Sequence, residues 1–374
     1  MKVIISAAGT GGHINPGIAI ANKIMEEQPN SKIIFIGTNR GLENDLVPRA
    51  GYTLKHIDAY GFEREISIDN IKKVFKTIHS IKEAKKIIDE FKPDVILGTG
   101  GYICLPVAIA GKKRKIPVIL HESNAFPGIA IKLLSKSANT ILLGFEDAKK
   151  RIKNTKKIVV TGTPTKVKKI DISKERKNEI LKEFNLTDNL PIILCFGGSQ
   201  GAQSINKSLL NIILQQKNKK YQIIWAAGPA QYEEIKEELS KNKFDIEKLE
   251  NTKIVPYIYN MEEIMNLVDL VICRSGAMTI TEIANVGKPA IFIPFPYATE
   301  NHQEYNARVL KDCGAAEIIL DKDLTEESLN NKIINLIQNK TKLKEMGKKA
   351  NNISIKNVEE RIYKEIKKVL KGEI

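Results

Sequence analysis

The chain has 374 residues, 42% of them hydrophobic and 28% charged, and carries a formal net charge of +15. That length suits two domains of ordinary size, each able to bury its own core. The four cysteines, Cys104, Cys195, Cys273 and Cys313, lie far apart with no Cys-x-x-Cys pair, so neither a disulfide framework nor a zinc site is suggested, and no apolar run approaches the ~20 residues of a membrane span.

In chain order, Val3 to Ile5 is too short an apolar run for a signal peptide, and the expected location is cytoplasmic. Val3 to Ser6 predicts a first strand, ending in Ala8-Gly-Thr-Gly-Gly-His13, and Lys32 to Ile36 a second. Over residues 68–88, Ile71, Val74, Phe75, Ile78 and Ile81 recur at helical spacing among Lys72, Lys73, Lys76, Lys82, Lys85 and Lys86. The strand Val95 to Leu97 leads into Gly98-Thr-Gly-Gly-Tyr102, a helix to Gly111 and the basic run Lys112-Lys113-Arg114-Lys115. Val118 to His121, Thr140 to Leu143 and Ile158 to Thr161 complete the first series of strands. Gly162-Thr-Pro-Thr-Lys166 and the charged stretch up to Pro191 read as a linker.

The second series begins at Ile192 to Phe196, followed by Gly197-Gly-Ser-Gln-Gly-Ala202 and a helical pattern through Ile205, Leu209 and Ile213. Gln222 to Ala226, Lys253 to Val255, Leu270 to Cys273, Ala290 to Ile293 and Ala316 to Leu320 are the remaining strands. The expected domains are 1–163, 164–341 and a helical segment 342–374 that packs back on the first. Strands alternating with helices throughout predict an α/β class with parallel sheets. The halves also echo each other, since Asp94-Val-Ile-Leu-Gly-Thr-Gly-Gly matches Asp269-Leu-Val-Ile-Cys-Arg-Ser-Gly, each followed by a helix, a glycine and a Pro-led strand. Two doubly wound, Rossmann-like domains would turn the loops at their strand ends toward one another across a cleft.

Four strand–glycine loop–helix junctions therefore bear on function: 8–13, 98–102, 197–202 and 274–279. Such a turn leaves N–H groups unpaired at the positive end of a helix dipole, and glycine lets a ligand approach the backbone, so a phosphate is the natural guest. Any one of them alone could be an ordinary tight turn. Four suggest a dinucleotide or a nucleotide sugar. The dinucleotide reading fails at the first loop, because Ile14 stands where the third glycine belongs and Ile36-Gly37-Thr38 lacks the ribose-binding acid. No Walker-type lysine loop occurs either. Residues 1–162 carry 26 Lys/Arg against 15 Asp/Glu, so the first half faces something anionic. Without stacking aromatics or a recognition helix, nucleic acid is not expected, and a membrane surface or phosphorylated substrate fits better.

Taken in order, Gly9-Thr-Gly-Gly-His13 with Pro16-Gly17, Gly98-Thr-Gly-Gly-Tyr102, His121-Glu-Ser-Asn124 with Pro127-Gly128, Gly197-Gly-Ser-Gln-Gly-Ala202, Arg274-Ser-Gly-Ala277 with Glu282, and His302-Gln303 with Asn306-Ala307 resemble the MurG family. The resemblance implies a GT-B glycosyltransferase fold and transfer of N-acetylglucosamine from UDP-GlcNAc to the MurNAc C4 hydroxyl of undecaprenyl-linked lipid I, forming lipid II of peptidoglycan. It further implies peripheral attachment to the inner face of the cell membrane and no metal cofactor. Another GT-B enzyme acting on a glycolipid or natural product is the alternative.

The resemblance places donor contacts at Thr10, Gly11, Gly12, Asn124, Lys166, Ser199, Ile258, Ser275, Gly276, Ala277, Glu282 and Gln303. Ser199 would bond the diphosphate, the backbone of Ile258 the uracil, Glu282 the ribose diol and Gln303 the sugar hydroxyls. Lys166 stands where many members have arginine, which keeps the charge and loses the planar fork. On chemical grounds, His13 at a helix start is a neutral imidazole suited to act as base, and Glu122 at a strand end competes for that role or orients Asn124. Asp321-Lys-Asp323 has the form of a metal-binding Asp-x-Asp but precedes a helix that Thr325 can cap, and a metal is not expected there. Ile71, Phe75, Ile78, Lys112, Lys113, Arg114 and Lys115 combine apolar and basic character suited to an anionic membrane, or to a core-facing helix with a solvated lysine face.

Overall fold

A computed structural model describes residues 1–60, 68–152, 157–198 and 201–373, with the backbone alone over 68–78. In chain order its elements are β1 (Lys2–Ala7), α1 (Gly11–Glu27), β2 (Lys32–Gly37), α2 (Glu43–Arg49), β3 (Thr53–His56), α3 (Ile68–Phe91), β4 (Val95–Gly100), α4 (Cys104–Lys113), β5 (Val118–Glu122), α5 (Ile129–Leu134), β6 (Thr140–Leu143), α6 (Glu146–Lys149) and β7 (Ile158–Val160). There follow α7 (Lys174–Glu183), β8 (Ile192–Phe196), α8 (Gln203–Leu214), β9 (Gln222–Ala226), α9 (Pro229–Lys241), β10 (Thr252–Val255), α10 (Met261–Leu267), β11 (Leu270–Cys273) and α11 (Ala277–Val286). The chain ends with β12 (Ala290–Phe292), α12 (His302–Asp312), β13 (Ala316–Ile318), α13 (Glu326–Ile337), α14 (Lys340–Asn352) and α15 (Val358–Leu370).

These elements form two compact units, Met1–Thr165 with Ile355–Ile374, and Lys166–Ser354. The first holds a seven-stranded sheet in the order β3-β2-β1-β4-β5-β6-β7, the second a six-stranded sheet in the order β10-β9-β8-β11-β12-β13. Every pairing is parallel. The central strands β4, β5, β8, β9 and β11 are buried along their whole length, which is why they read as unbroken apolar runs rather than alternating ones. The strand missed in the sequence is β3, an edge strand whose Thr53, Lys55 and His56 are exposed and carry no apolar run.

The internal echo has a structural counterpart. Asp94, just before β4, accepts a 2.7 Å hydrogen bond from Lys2 N–H and returns its own N–H to Lys2 C=O. Asp269, just before β11, makes the same pair of bonds with Ile192, its carboxylate accepting at 2.8 Å. In each unit one aspartate thus fixes the register of the central strand pair. In both sheets the chain runs outward on one side of the first strand and then returns to its other side, so the order reverses between β1 and β4 and between β8 and β11. Loops at the carboxyl ends of strands flanking such a reversal are where α/β sheets bind ligands.

Two expectations need correction. The charged stretch after Lys166 contains α7, capped by the Ser173 hydroxyl and tied to α10 by the Arg176–Glu263 ion pair, so it is part of the second unit rather than a linker. Residues 342–374 are not one closing segment. Within them α14 packs on α11 in the second unit, whereas α15 packs on α1 and places Val358, Ile362, Ile366 and Val369 in the core of the first.

Candidate active site

In the first unit the loops after β1 and β4 meet at the reversal point. Gly9 N–H donates to Glu43 Oε2 at 2.9 Å, and the Thr38 N–H and hydroxyl donate to Oε1 at 2.9 and 2.8 Å, so a buried carboxylate holds the first glycine loop against the end of β2. Burial alone would raise the Glu43 pKa, but the bonds from Gly9 and Thr38 hold it below the ordinary carboxylate range. Nothing in the sequence pattern singles out this clamp, because an acid in the first turn of a short helix is ordinarily explained by the helix dipole. Thr10 takes the N-cap position of α1, and no side chain caps the turn at Gly11 and Gly12.

His13 is positioned by the second glycine loop. Its carbonyl accepts a 2.8 Å bond from the Thr99 hydroxyl, and its ring lies directly over Gly100, whose φ is +124°. A Cβ built on Gly100 would stand 2.1 Å from His13 Nδ1. Glycine at position 100 of the 98–102 loop therefore seats the imidazole.

Glu122 is buried at the end of β5, with both carboxylate oxygens turned inward. Oε1 accepts from the Asn124 N–H and side-chain amide at 2.8 and 3.0 Å, and Oε2 from Gly128 N–H at 2.8 Å. Burial raises its pKa, opposed by those bonds and by the charge of Lys132. This arrangement orders residues 123–128 and presents Asn124. Its neighbour His121 is fully buried, with Nε2 3.0 Å from Gly162 C=O, and burial pushes its pKa down to about 4.

In the second unit Ser199 lies outside the described residues. The loop that holds it returns through Gly201, with φ +79°, where a Cβ would stand 2.3 Å from Ala227 C=O. After β10, Ile258 is buried between the exposed Tyr257 and Tyr259, and neither its N–H nor its C=O is hydrogen-bonded among the described residues. After β11, Gly276 is the N-cap of α11 with no side-chain cap, so the turn at Ala277 offers N–H groups. Ser275 differs from the expectation. Its N–H donates to Gln303 Oε1 at 3.2 Å and its hydroxyl to Gln303 C=O at 2.8 Å, so both groups of Ser275 are used internally. Gln303 Oε1 also accepts from Phe295 N–H at 3.0 Å, which leaves its NH₂ group as the part suited to an outside acceptor.

Glu282, in the second turn of α11, has no hydrogen-bond partner among the described residues. Part of its surface reaches solvent, yet the protein packed around it pushes its pKa up to about 7, against the charge of Lys166. A carboxyl so poorly satisfied fits two vicinal hydroxyls that would bond it in its ionised form. Lys166 is exposed beside it, and the two share one environment. Asp321 is not disposed as a metal ligand. It pairs with Arg274 and accepts a 2.7 Å bond from the Ser204 hydroxyl. Among the described residues no cluster of three or more potential metal ligands occurs.

Ile71, Phe75 and Ile78 fall on side chains outside the described residues. The described end of α3 buries Ala84 and Ile88 in the first core and exposes Lys82 and Lys86. In the basic run, Lys112 Nζ donates to Ser137 C=O and Arg114 makes a two-pronged pair with Asp89, while Lys113 and Lys115 are exposed. Among the described residues no helix is long and apolar enough to cross a membrane.

Residues 3–143 match the model of the glycosyltransferase family 28 N-terminal domain, and residues 192–362 that of the family 28 C-terminal domain. A protein of Thermoanaerobacter sp. (strain X514) named UDP-N-acetylglucosamine--N-acetylmuramyl-(pentapeptide) pyrophosphoryl-undecaprenol N-acetylglucosamine transferase is 44% identical, covering 99% of this chain and 100% of its own. The protein of the same name from Acetivibrio thermocellus is 42% identical over 100% of this chain and 99% of its own. Among solved structures, Acinetobacter baumannii MurG superposes with a TM-score of 0.78 at 29% identity, covering 98% of this chain and 99% of its own. A calicheamicin glycosyltransferase, at 11% identity and a TM-score of 0.69 over 100% of this chain and 98% of its own, shares the fold.

Proposed function

The chain belongs to the MurG family of glycosyltransferase family 28, and from that membership we propose its reaction and the parts its residues take. It is a GT-B enzyme that transfers N-acetylglucosamine from UDP-GlcNAc to the MurNAc C4 hydroxyl of undecaprenyl-linked lipid I, giving lipid II for peptidoglycan synthesis. The observation that carries this is the 44% identity over 99% of the chain to a transferase of that name.

The second unit, residues 166–354, holds the donor. The Ala277 turn and the 197–202 loop, with Ser199, receive the diphosphate, Glu282 the ribose diol, the open backbone of Ile258 the uracil, and the Gln303 NH₂ the sugar. Lys166 adds a charge near the ribose, and Asn124 of the first unit contributes to the sugar. The first unit receives the acceptor, while Thr10, Gly11 and Gly12 at the start of α1 add donor contacts through their backbone N–H groups.

His13 is the base. The MurNAc C4 oxygen attacks the anomeric carbon of the donor sugar from the face opposite UDP, and its proton passes to the imidazole. The bond from that carbon to the β-phosphate oxygen breaks, UDP leaves with the electron pair, and the anomeric centre inverts. Helix N-termini answer the charge that develops on the diphosphate, so no metal is required. Glu122 serves by ordering the Asn124 loop. The basic run 112–115 and the apolar positions Ile71, Phe75 and Ile78 attach the enzyme to the anionic inner face of the cell membrane, where the lipid acceptor resides.

The test is a donor and acceptor matrix assay with UDP-GlcNAc, other UDP-sugars and a short-chain lipid I analogue, in EDTA and in Mg²⁺. Disaccharide product from UDP-GlcNAc in EDTA is expected. Product only with a different acceptor would move the chain to another glycolipid reaction, and dependence on Mg²⁺ would remove the metal-free step.

A further inference from the structure

Arg274 directly follows β11, two residues before Gly276, and its guanidinium bonds a set of neighbouring loops. Nη1 donates to Ile293 C=O at 3.0 Å, to Pro294 C=O at 3.2 Å and to Asp321 Oδ1, while Nη2 donates to the Ser204 hydroxyl at 3.0 Å. The Ser204 hydroxyl in turn donates to the same Asp321 oxygen at 2.7 Å, and the Phe295 ring lies 5.5 Å from the guanidinium carbon. Both side chains of the ion pair are largely covered, Arg274 being 13% exposed and Asp321 21%. One arginine thus joins the chain following β8, β11, β12 and β13, four of the six strands of the sheet.

We propose that Asp321 is a positioning residue for the donor, acting through Arg274 and Ser204 to hold the diphosphate turn 274–277 at a fixed distance from the loop 293–295, whose Phe295 N–H bonds Gln303. This rests on the donor reading of the second unit given above.

Two cross-links join the same two loops. Gln303 Oε1 bridges Ser275 N–H and Phe295 N–H, and Arg274 bridges its own turn to the carbonyls of Ile293 and Pro294. The first presents the Gln303 NH₂. The second sets the direction of the N–H groups that follow Gly276. A covered guanidinium keeps such a posture only while a negative partner balances it, and Asp321 supplies that charge. Without it, Arg274 would be free to turn toward the nearest anion, which during turnover is the donor diphosphate itself. The first carboxylate of the Asp-x-Asp, Asp321, is therefore half of an internal ion pair.

The experiment measures UDP affinity by calorimetry and separate donor and acceptor KM values for the full chain and for Asp321→Asn, Arg274→Lys and the double variant. Asp321→Asn should weaken UDP binding and raise the donor KM on the order of tenfold, with the acceptor KM unchanged. The double variant should be no worse than Arg274→Lys alone, because both changes act through one guanidinium. Ser204→Ala, which deletes only the bridging hydroxyl, should shift UDP affinity in the same direction by a smaller factor, and it stands in if Asp321→Asn fails to fold. Unchanged UDP affinity in a folded Asp321→Asn variant, equal changes in donor and acceptor KM, or additive effects in the double variant would each overturn the proposal while leaving the donor site in place. Absence of UDP binding by the wild type would overturn both.

Discussion

The His13 imidazole rests on the α-carbon of Gly100, so closely that a single methyl group there would come within 2.1 Å of Nδ1. A residue at the start of one helix is thus aimed by a loop 87 positions later in the chain, and the only side chain that loop can carry beneath the ring is a hydrogen atom.

Gly100→Ala should therefore act as a catalytic lesion without touching the donor. The methyl displaces the ring, and φ of +124° is strained for any L side chain. A misplacement of about 1 Å costs roughly 10²-fold in rate, so kcat should fall by about that factor with UDP affinity kept. His13→Ala should fall further, by ~10²–10⁴. Glu122→Gln should instead appear mainly as lost stability, because one of the bonds from Asn124 or Gly128 must go, at about 1–3 kcal/mol. A stable Glu122→Gln enzyme with collapsed kcat, beside a fully active His13→Ala, would exchange the two roles.

Glu282 predicts a pH dependence of donor binding. In the free protein its pKa is raised from 4.5 to about 7, so below neutrality it is protonated, whereas the ribose hydroxyls bond its ionised form. Binding must then release a proton, and donor affinity should rise with pH up to about 7 and level off above it. Glu282→Gln should remove that slope as well as raise the donor KM. The readout is the donor KM between pH 5.5 and 8.5, and an unchanged slope in the variant would detach Glu282 from the ribose.

His121 predicts acid sensitivity of the fold. Its pKa falls from 6.5 to about 4 on burial, so between those values the unfolded chain binds a proton that the native state refuses. Stability contributed by the neutral ring is complete above about 6.5 and is lost as pH falls toward 4, by up to ~3 kcal/mol. Glu282 works in the opposite sense, because its raised native pKa favours the folded state at the acid end of 4.5 to 7. Denaturant midpoints at pH 7 and 5 for wild type, His121→Gln and Glu282→Gln separate the two. His121→Gln should lose less stability on acidification than wild type, and an equal loss would count against the buried ring as the cause.

Within the basic run the structure ranks the charges available to a membrane. Arg114 is balanced by Asp89 and Lys112 keeps its charge but is tethered to Ser137 C=O, so Lys113 and Lys115 carry the untethered charge. Each is worth ~1 kcal/mol at an anionic surface, and replacing both by Gln should weaken binding to anionic vesicles more than Arg114→Gln does, with less salt sensitivity in what remains. Co-sedimentation with anionic and neutral liposomes measures this. Equal binding to both kinds, or no loss in the double variant, would make the run a solubility feature.

The order of residues alone makes the α/β architecture, every strand but β3 and the twofold repetition legible, because buried parallel strands must be continuous apolar runs and the turns after them need glycine. It also determined the family, since motifs in a fixed order over the whole chain carry more information than any loop does alone. Side-chain partnerships were decided only by the tertiary structure. The 98–102 loop proved to seat an imidazole, Ser275 to hold Gln303, Asp321 to balance Arg274, and Glu43 to pin Gly9. Those pairs lie 28 to 87 residues apart, and nothing in local spacing encodes them. The division between α14 on the second unit and α15 on the first was fixed likewise, by which core could bury Val358, Ile362, Ile366 and Val369. Periodicity shows that a helix has an apolar face, but only three-dimensional packing decides what covers it.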